Sequence, residues 1–294
     1  MKRQVKHIQR IGLLGNSEKT ACADIVRKAV RLIRRAGLEV FCDAETARLA
    51  RLKGVPGQDA ATLARQVDLL VVFGGDGTIL RVAREIAGSP TPVLGVNIGG
   101  LGFLTAVPSD QLASALKLVW DGRYTLQSRA LIEAGGVLGG QKILHTALND
   151  IVVSRGAVSR LISLDVGVDG EPITRYRCDG LIISSPTGST AYSLAAGGAI
   201  VLPTAEVFTL TPICPHSLSN RSIILPLSSQ ITVKAVTPPP ATILSADGRV
   251  VAELDAGDEV TVRRSRRAIR LVQLADGSFF EALRRKLHWR GTYL

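Results

Sequence analysis

Aromatic residues make up only 4% of this 294-residue chain. So few rings exclude the stacking platforms on which single-stranded nucleic acid is held. No apolar run approaches the length of a membrane span, so the sequence predicts no membrane association. The basic stretch Met1–Arg10 is followed by an apolar patch too short for a signal peptide, and a cytoplasmic protein is expected. The four cysteines, Cys22, Cys42, Cys178 and Cys214, stand far apart with no CxxC spacing. That pattern indicates neither a zinc site nor a disulfide framework, and reduced thiols fit a cytosolic enzyme. Familiar nucleotide motifs are also missing. There is no Gly-Lys pair and hence no P-loop, no GxGxxG after the first strand, and no HRD or DFG. A P-loop NTPase, a hydride-transferring dehydrogenase and a protein kinase each lose their usual warrant.

What the chain does have is apolar content, 46%, and positive charge, a net +11. The first is ample for a core, and the second suits polyanionic ligands or serves solubility alone. Residues 69–73 are a continuous apolar run that ends in Gly74-Gly75-Asp76-Gly77-Thr78, and apolar periodicity resumes at Ile79. This reads as a buried strand, a turn and a helix. Asp76 is then one carboxylate among glycines at a strand end, beside amides suited to an anion. It fits metal or hydroxyl chemistry beside a phosphate, or the polar tip of an ordinary turn.

Strands are expected at 5–14, 38–42 and 93–97, with an amphipathic helix over 18–36 closed by Gly37. A second glycine cluster, Gly99, Gly100 and Gly102, follows the 93–97 strand, and Ser109 is expected to cap a helix through Trp120. Alternating β and α elements argue for a doubly wound parallel sheet in residues 1–123, with both glycine clusters at the carboxyl ends of strands. From 124 to 278 many short β-rich runs suggest an all-β, sandwich-like domain. Two of these runs, 259–263 and 269–274, flank a basic stretch read as a solvated strand end. Thr237-Pro238-Pro239-Pro240 reads as a stiff connector. A last helix is expected within 279–294.

Two motifs in the β-rich part carry chemistry. Asn149-Asp150 breaks into an apolar strand, and a paired amide and carboxylate can grip vicinal ribose hydroxyls or simply form a turn. In the stretch 179–198, DGLIISSPTGSTAYSLAAGG, a strand runs into Pro186-Thr187-Gly188, and Ser189 or Thr190 can cap a short helix. That gives a hydroxyl- and amide-lined pocket with Tyr192 as a flat wall, suited to adenine or ribose.

With these segments the chain closely resembles the NAD kinase family. The matching stretches are FGGDGT (73–78), GVNIGGLGFL (95–104), ALND (147–150), the 179–198 segment, TPICPHSLSNR (211–221), SADGR (245–249) and KLHWRG (286–291). The resemblance implies phosphorylation of the adenosine-ribose 2′-hydroxyl of NAD by ATP with a divalent metal, and Mg²⁺ carried mainly on the ATP phosphates, with few protein ligands, is expected. It implies an α/β first domain, a β-sandwich-like second domain and a tail, 279–294, that packs back on the first. It implies a cytoplasmic homo-oligomer, dimer or tetramer, with NAD and ATP as partners.

By position, Asp76 corresponds to the catalytic carboxylate and Gly77 to its neighbour in the site. Gly74, Gly75, Thr78, Gly99, Gly100 and Gly102 become phosphate-loop candidates. Asn149 and Asp150 correspond to ribose ligands, and Asp179, Thr187, Thr190, Ala191 and Tyr192, continued by Ser193, Leu194 and Ala195, to the adenosine pocket. Arg160 and Arg177 fall where family members contact NAD. Arg249 stands where many members carry Gln. Thr78, in place of Asn, weighs slightly toward polyphosphate as an additional donor. The alternatives are a diacylglycerol- or sphingosine-type lipid kinase, which shares GGDGT, and a non-catalytic regulator that binds NAD or nucleic acid.

Overall fold

Two strands, Arg10–Gly15 (β1), apolar after Arg10, and Leu69–Gly74 (β4), apolar throughout, lie side by side at the centre of a parallel sheet in the computed structural model. The structure describes residues 8–289 except 20, 56, 101, 106, 158–159, 218, 238–241 and 275–277. The start of the first expected strand, the Pro238–Pro240 connector and the last five residues of the tail therefore lie outside the described residues. The chain divides into two compact units, Met1–Ser128 with Ile269–Leu294, and Arg129–Ala268.

In the first unit, β1 leads through α1 (Ala21–Arg35) to β2 (Glu39–Asp43), α2 (Ala44–Leu49), the short β3 (Gly57–Gln58) and α3 (Ala60–Gln66). After β4 come α4 (Asp76–Glu85), β5 (Val93–Asn97), β6 (Val107–Pro108) and α5 (Leu112–Trp120). The sheet order is β5-β4-β1-β2-β3, all parallel. Connections from β1 go one way, to β2 and β3, while β4 and β5 lie on its other side. The strand order thus reverses between β1 and β4, the place where open α/β sheets leave a crevice at their carboxyl ends. Gly15 pairs with Phe73 and Gly74 with Asn97, so three loops leave that edge together. Helix α1 buries Cys22, Val26, Ala29, Val30 and Ile33 against the sheet, each large side chain worth about 1.5–3 kcal/mol on burial. Gly37, at φ +75°, ends its last turn. Ser109 caps nothing: it lies in a 3₁₀ turn, and α5 starts after Gln111 with no side-chain cap. The far end of the chain returns to this unit. Leu271 pairs with Val93 of β5, and the Phe279 ring of the last helix (Phe279–Lys286) lies 6.3 Å from that of Phe103.

The second unit holds two antiparallel sheets. In chain order its strands are β7 (Tyr124–Leu138, entering from the first unit), β8 (Gln141–Ala147), β9 (Asp150–Arg155), β10 (Ile162–Val168), β11 (Glu171–Cys178) and β12 (Gly180–Ser184). They continue with β13 (Val207–Ile213), β14 (Ile223–Pro226), β15 (Ile231–Ala235), β16 (Thr242–Ala246), β17 (Arg249–Leu254) and β18 (Glu259–Leu274). One sheet runs β14-β13-β12-β9-β16-β17. In the other, β11-β10-β15 continues to the first part of β18, with the β7–β8 hairpin beside it. Alternate residues such as Ile162, Leu164 and Val166, or Ile231 and Val233, join Ile151, Val153, Leu181 and Phe208 in one core. The architecture is thus an α/β parallel-sheet unit and an antiparallel β sandwich. The two strands expected at 259–263 and 269–274 are one continuous strand. The basic run is therefore mid-strand rather than a strand end, with Arg263 paired to Glu133 and Arg264 to Glu206. β13 was not anticipated as a strand from the residues.

Candidate active site

Helix α4 begins at Asp76 itself. Gly75 is its N-cap in extended conformation, with no side-chain cap; its carbonyl accepts from the Thr78 and Ile79 N–H groups, and the Asp76 and Gly77 amides that precede them have no intrahelical acceptor. The carboxylate at the first helical position is favoured by the helix dipole. It is further fixed from the second glycine cluster: the Phe103 N–H donates to Asp76 Oδ2 at 2.8 Å and the Leu104 N–H to Oδ1 at 3.0 Å. The glycines divide by purpose. A Cβ at Gly102 would lie 2.0 Å from Asp76 Oδ1, and one at Gly74 would lie 2.2 Å from Thr78 Oγ1. Both are glycine because their own chain packs there. By contrast, a Cβ at Gly75, Gly77 or Gly100 would meet nothing within 4 Å, so these backbones are open to a ligand. Gly99 has φ +131°, in the region that favours glycine.

In the second unit, Asn149 and Asp150 sit on a turn whose backbone is fully engaged. Asp247 accepts from the Leu148 N–H at 2.9 Å, the Asn149 N–H at 2.7 Å and the Asp150 N–H at 3.3 Å. The Asp247 N–H in turn donates to the Asp150 carbonyl at 3.0 Å, and the Ser185 N–H to the Asn149 carbonyl at 2.8 Å. A Cβ at Gly188 would sit 2.2 Å from that same carbonyl, so the PTG turn and the Asn-Asp turn are packed backbone to backbone. Held this way, the Asn149 amide and the Asp150 carboxyl make no side-chain hydrogen bonds among the described residues. They are positioned but chemically uncommitted.

The 179–198 segment continues this surface. Residues Thr187–Thr190 form a 3₁₀ turn and Tyr192–Ala195 a short helix. Ser189 does not cap that helix; its hydroxyl donates to the Pro186 carbonyl at 2.8 Å and accepts from the Val201 N–H at 3.0 Å. Thr190 donates to the Thr187 carbonyl at 3.3 Å instead of capping. Ser193 is buried against Thr211, its side chain turned inward, whereas Tyr192 is 48% exposed and Ala195 is exposed. Ala191, Thr190 and Leu194 are half-buried. Asp179 is half-buried and already paired with Arg155 at 2.9 Å. Arg160, Arg177 and Arg249 are exposed. Two groups escaped the sequence reading. Asp247 acts across 97 to 99 residues on the Asn-Asp turn, and SADGR gave no sign of it beyond the family resemblance. Arg129 is buried, with its Nη1 donating to Thr187 Oγ1 at 3.4 Å, and burial pulls its pKa down to about 10.

Burial, with the Asp247 charge added to it, pushes the Asp150 carboxyl up to about 7. The folded protein therefore holds this proton more tightly than the unfolded chain. The resulting stabilisation is complete below about pH 4, and it is lost as pH rises toward 7. Thermal melts of wild type and Asp150→Asn between pH 4 and 8 check this: wild type is expected to lose stability relative to the variant up to pH 7 and to run parallel above it. Parallel curves throughout would show that Asp150 is ionised like a surface carboxylate. Among the described residues no cluster of three or more His, Cys, Asp or Glu could hold a metal ion. Nor is any helix there long and apolar enough to cross a membrane.

Comparison with known proteins agrees over nearly the whole chain. Residues 11–124 match the ATP-NAD kinase N-terminal domain, and residues 148–274 the ATP-NAD kinase C-terminal domain. The NAD kinase of Syntrophotalea carbinolica is 39% identical over 288 residues, covering 96% of this chain and 99% of that protein. That of Geobacter sulfurreducens is also 39% identical, over 284 residues, with coverage of 96% and 99%. Among solved structures, yeast NADH kinase complexed with NADH superposes with a TM-score of 0.88 at 29% identity, covering 98% of this chain and 90% of that one. An NAD kinase from Archaeoglobus fulgidus in complex with ATP gives 0.76 at 26% identity, covering 96% and 100%.

Proposed function

The chain belongs to the NAD kinase family, and from that membership we propose that it transfers the γ-phosphoryl group of ATP to the 2′-hydroxyl of the adenosine ribose of NAD. The products are NADP and ADP. The observation that carries this reading is the Asn149–Asp150 turn, whose backbone is fixed while neither side chain is hydrogen-bonded among the described residues. Asp accepts and Asn donates or accepts, which is what a diol requires. Thr190, Ala191 and the exposed Tyr192 ring extend the surface toward the adenine, with Gly77, Asp179, Thr187, Leu194 and Ala195 as further contacts. Ser193 contributes through its backbone, since its hydroxyl is turned inward. Arg160, Arg177 and Arg249 are solvent-facing cations suited to the pyrophosphate.

Phosphoryl transfer needs an oriented nucleophile and neutralised phosphate charge more than covalent help. Asp76 orients the attacking hydroxyl and accepts its proton as the bond to phosphorus forms. A sugar hydroxyl is far too weak an acid for an aspartate to strip beforehand. The two amides at Phe103 and Leu104 keep the carboxylate in one orientation meanwhile. The Mg²⁺ of this reading enters on the ATP phosphates as part of the substrate. A cytoplasmic homo-oligomer, dimer or tetramer, completes the reading, with polyphosphate as a second donor to be assayed.

The test is incubation of the purified chain with NAD, ATP and Mg²⁺, with the phosphate position assigned by phosphorus NMR. NADP carrying a 2′-phosphate is expected. Absence of product, or phosphate on another hydroxyl, removes the proposal. Phosphorylation of diacylglycerol or sphingosine in a parallel assay would replace it with the lipid kinase reading, which nothing in the comparisons supports.

A further inference from the structure

The Asp76 carboxylate is fixed by the amides of Phe103 and Leu104, and the Phe103 side chain is in turn met by residues from far along the chain. The Phe279 ring lies 6.3 Å from the Phe103 ring, tilted by 45°. The Lys286 ammonium sits over the same ring, 5.4 Å from its centroid. Both residues belong to the last helix, and all of these groups lie within the first unit. We propose that Phe279 and Lys286 are positioning residues for the phosphoryl transfer, which brace the Phe103 ring and so keep the Phe103 N–H on the Asp76 carboxylate. The proposal rests on the reading of Asp76 as the group that orients the attacking hydroxyl, and deepens it.

The loop that carries Phe103 is supported in three places. At its start, Asn97 Nδ2 donates to the Gly100 carbonyl at 2.7 Å. At its end, a Cβ at Gly95 of β5 would lie 2.9 Å from the Leu104 carbonyl oxygen and 3.0 Å from Thr105 Cα, so the chain there rests directly on the strand. Between these supports stands Phe103, which is half-buried. Among the described residues, the aromatic ring and the cation that meet its side chain both come from the last helix. Ring and N–H are joined through one Cα. A ring fixed by two contacts therefore limits how far the amide can swing away from Asp76 Oδ2, which it meets at 2.8 Å.

The helix is patterned to present this pair. Phe279, Leu283 and Lys286 stand at i, i+4 and i+7, which places them on one face. Leu283 is buried and docks the helix. Phe280, Arg284 and Arg285 are exposed, and Arg285 pairs with Glu281 at 2.7 Å. Lys286 is exposed as well, yet its ammonium is held at a ring instead of extending into water. A tilted aromatic pair and a cation over a ring are each modest contacts, so removing one should loosen the loop without unfolding the unit.

Amide hydrogen exchange read by NMR tests the brace without turnover. In Phe279→Leu and Lys286→Gln the Phe103 and Leu104 N–H groups should exchange about two- to tenfold faster than in wild type, the range for losing one such contact. Lys286→Arg keeps a cation, and Arg285→Gln alters the same helix away from the ring. Both should exchange at the wild-type rate. Steady-state kinetics give the second readout. kcat for NADP formation should fall by a similar factor in Phe279→Leu and Lys286→Gln while the KM for ATP stays unchanged, because a misaimed carboxylate is felt in the transition state. Lys286→Arg should keep most of kcat.

If Phe279→Leu fails to fold, Lys286→Gln decides alone, since it changes an exposed side chain. Unchanged exchange of both amides in Lys286→Gln, or equal acceleration in Arg285→Gln, overturns the proposal. Faster exchange with an unchanged kcat overturns it too, because the contact would then be packing without a part in turnover. Should wild type make no NADP, the exchange result still decides: faster exchange upholds the hold on Asp76, and only the kinase reading falls.

Discussion

Asp76→Asn is expected to lower kcat for NADP formation by about 10²–10⁴-fold, the range seen when a group that takes a proton in the transition state is removed. NAD affinity should stay near wild type, because an amide of the same shape can still touch a hydroxyl. The structure adds a second, smaller effect. Both carboxylate oxygens of Asp76 accept a backbone N–H, from Phe103 and Leu104. In the variant the NH₂ group must face one of these amides, donor to donor. One charge-assisted bond is lost and one amide is left without its acceptor, at about 1.5–3 kcal/mol. A fall in the melting temperature should therefore accompany the loss of kcat. Gly102→Ala separates the two effects. It keeps the carboxylate but places a methyl group 2.0 Å from Asp76 Oδ1, so the loop must shift. If Gly102→Ala loses stability and part of its turnover while Asp76→Asn loses nearly all turnover, proton acceptance dominates. Near-wild-type turnover in Asp76→Asn would falsify the role of Asp76.

The second large effect is expected at Asp247, which touches no part of the proposed chemistry. Asp247→Ala removes the acceptor of three consecutive backbone N–H groups at Leu148, Asn149 and Asp150. It also puts alanine at φ +48°, which aspartate tolerates better. Freed of these bonds, the Asn149–Asp150 turn loses its fixed geometry, and the KM for NAD should rise by about 10- to 100-fold, one to two charge-assisted bonds' worth. Asp247→Asn is the sharper probe. Its one oxygen can still serve Asn149 and Asp150, and asparagine accepts the same backbone conformation, so geometry is largely kept while the charge is lost. Burial and Asp247 together hold the Asp150 carboxyl at about 7, burial being the larger cause. Removing the neighbouring charge should move the pH midpoint of NAD affinity to lower pH. The ionised carboxylate is the stronger acceptor, so affinity rises through that midpoint in both proteins. A midpoint that does not move in Asp247→Asn, with the KM for NAD at pH 8 also unchanged, would reduce Asp247 to a bystander.

How far the sequence could be read depended on the range of each interaction. The strands at 10–15, 69–74 and 93–97 were legible because each is an apolar run, after Arg10 in the first, closed by glycine, asparagine or both. Helices α2 and α3 were not, being six and seven residues long with little apolar periodicity. Their signal was local and was overlooked: Asp43 and Asp59 cap them by accepting from Thr46 and Thr62, three residues on in each case. The basic stretch Arg263–Arg267 interrupted the hydrophobic pattern and suggested a break in β18, yet the strand runs unbroken through it, with Ser265 buried between arginines exposed on both faces. At the site, GGDGT and Asn149-Asp150 were visible as patterns of side chains. Their supports were not. Asp76 is fixed from 27 and 28 residues away, and the Asn-Asp turn from nearly a hundred. Nothing in one sequence marks which glycine makes room for a ligand and which for the chain itself. The open backbones at Gly75 and Gly77 and the filled space at Gly74 and Gly102 are facts of packing alone.

The first unit is closed by two segments far apart in the chain, and that bears on how the protein is made. A ribosome delivers β1 to α5 early, with the Val93 end of β5 unpaired on the side where β6 covers only Val96 and Asn97. The partner that covers Val93, the segment around Leu271, is synthesised long after it, and the ring that packs on Phe103 comes later still. An exposed strand edge of this kind invites pairing with other chains while it waits. The nascent protein must therefore pass through a period in which the earliest-made unit is incomplete. Truncation of the last two dozen residues would prolong that period indefinitely, leaving an aggregation-prone edge in place of a shorter enzyme.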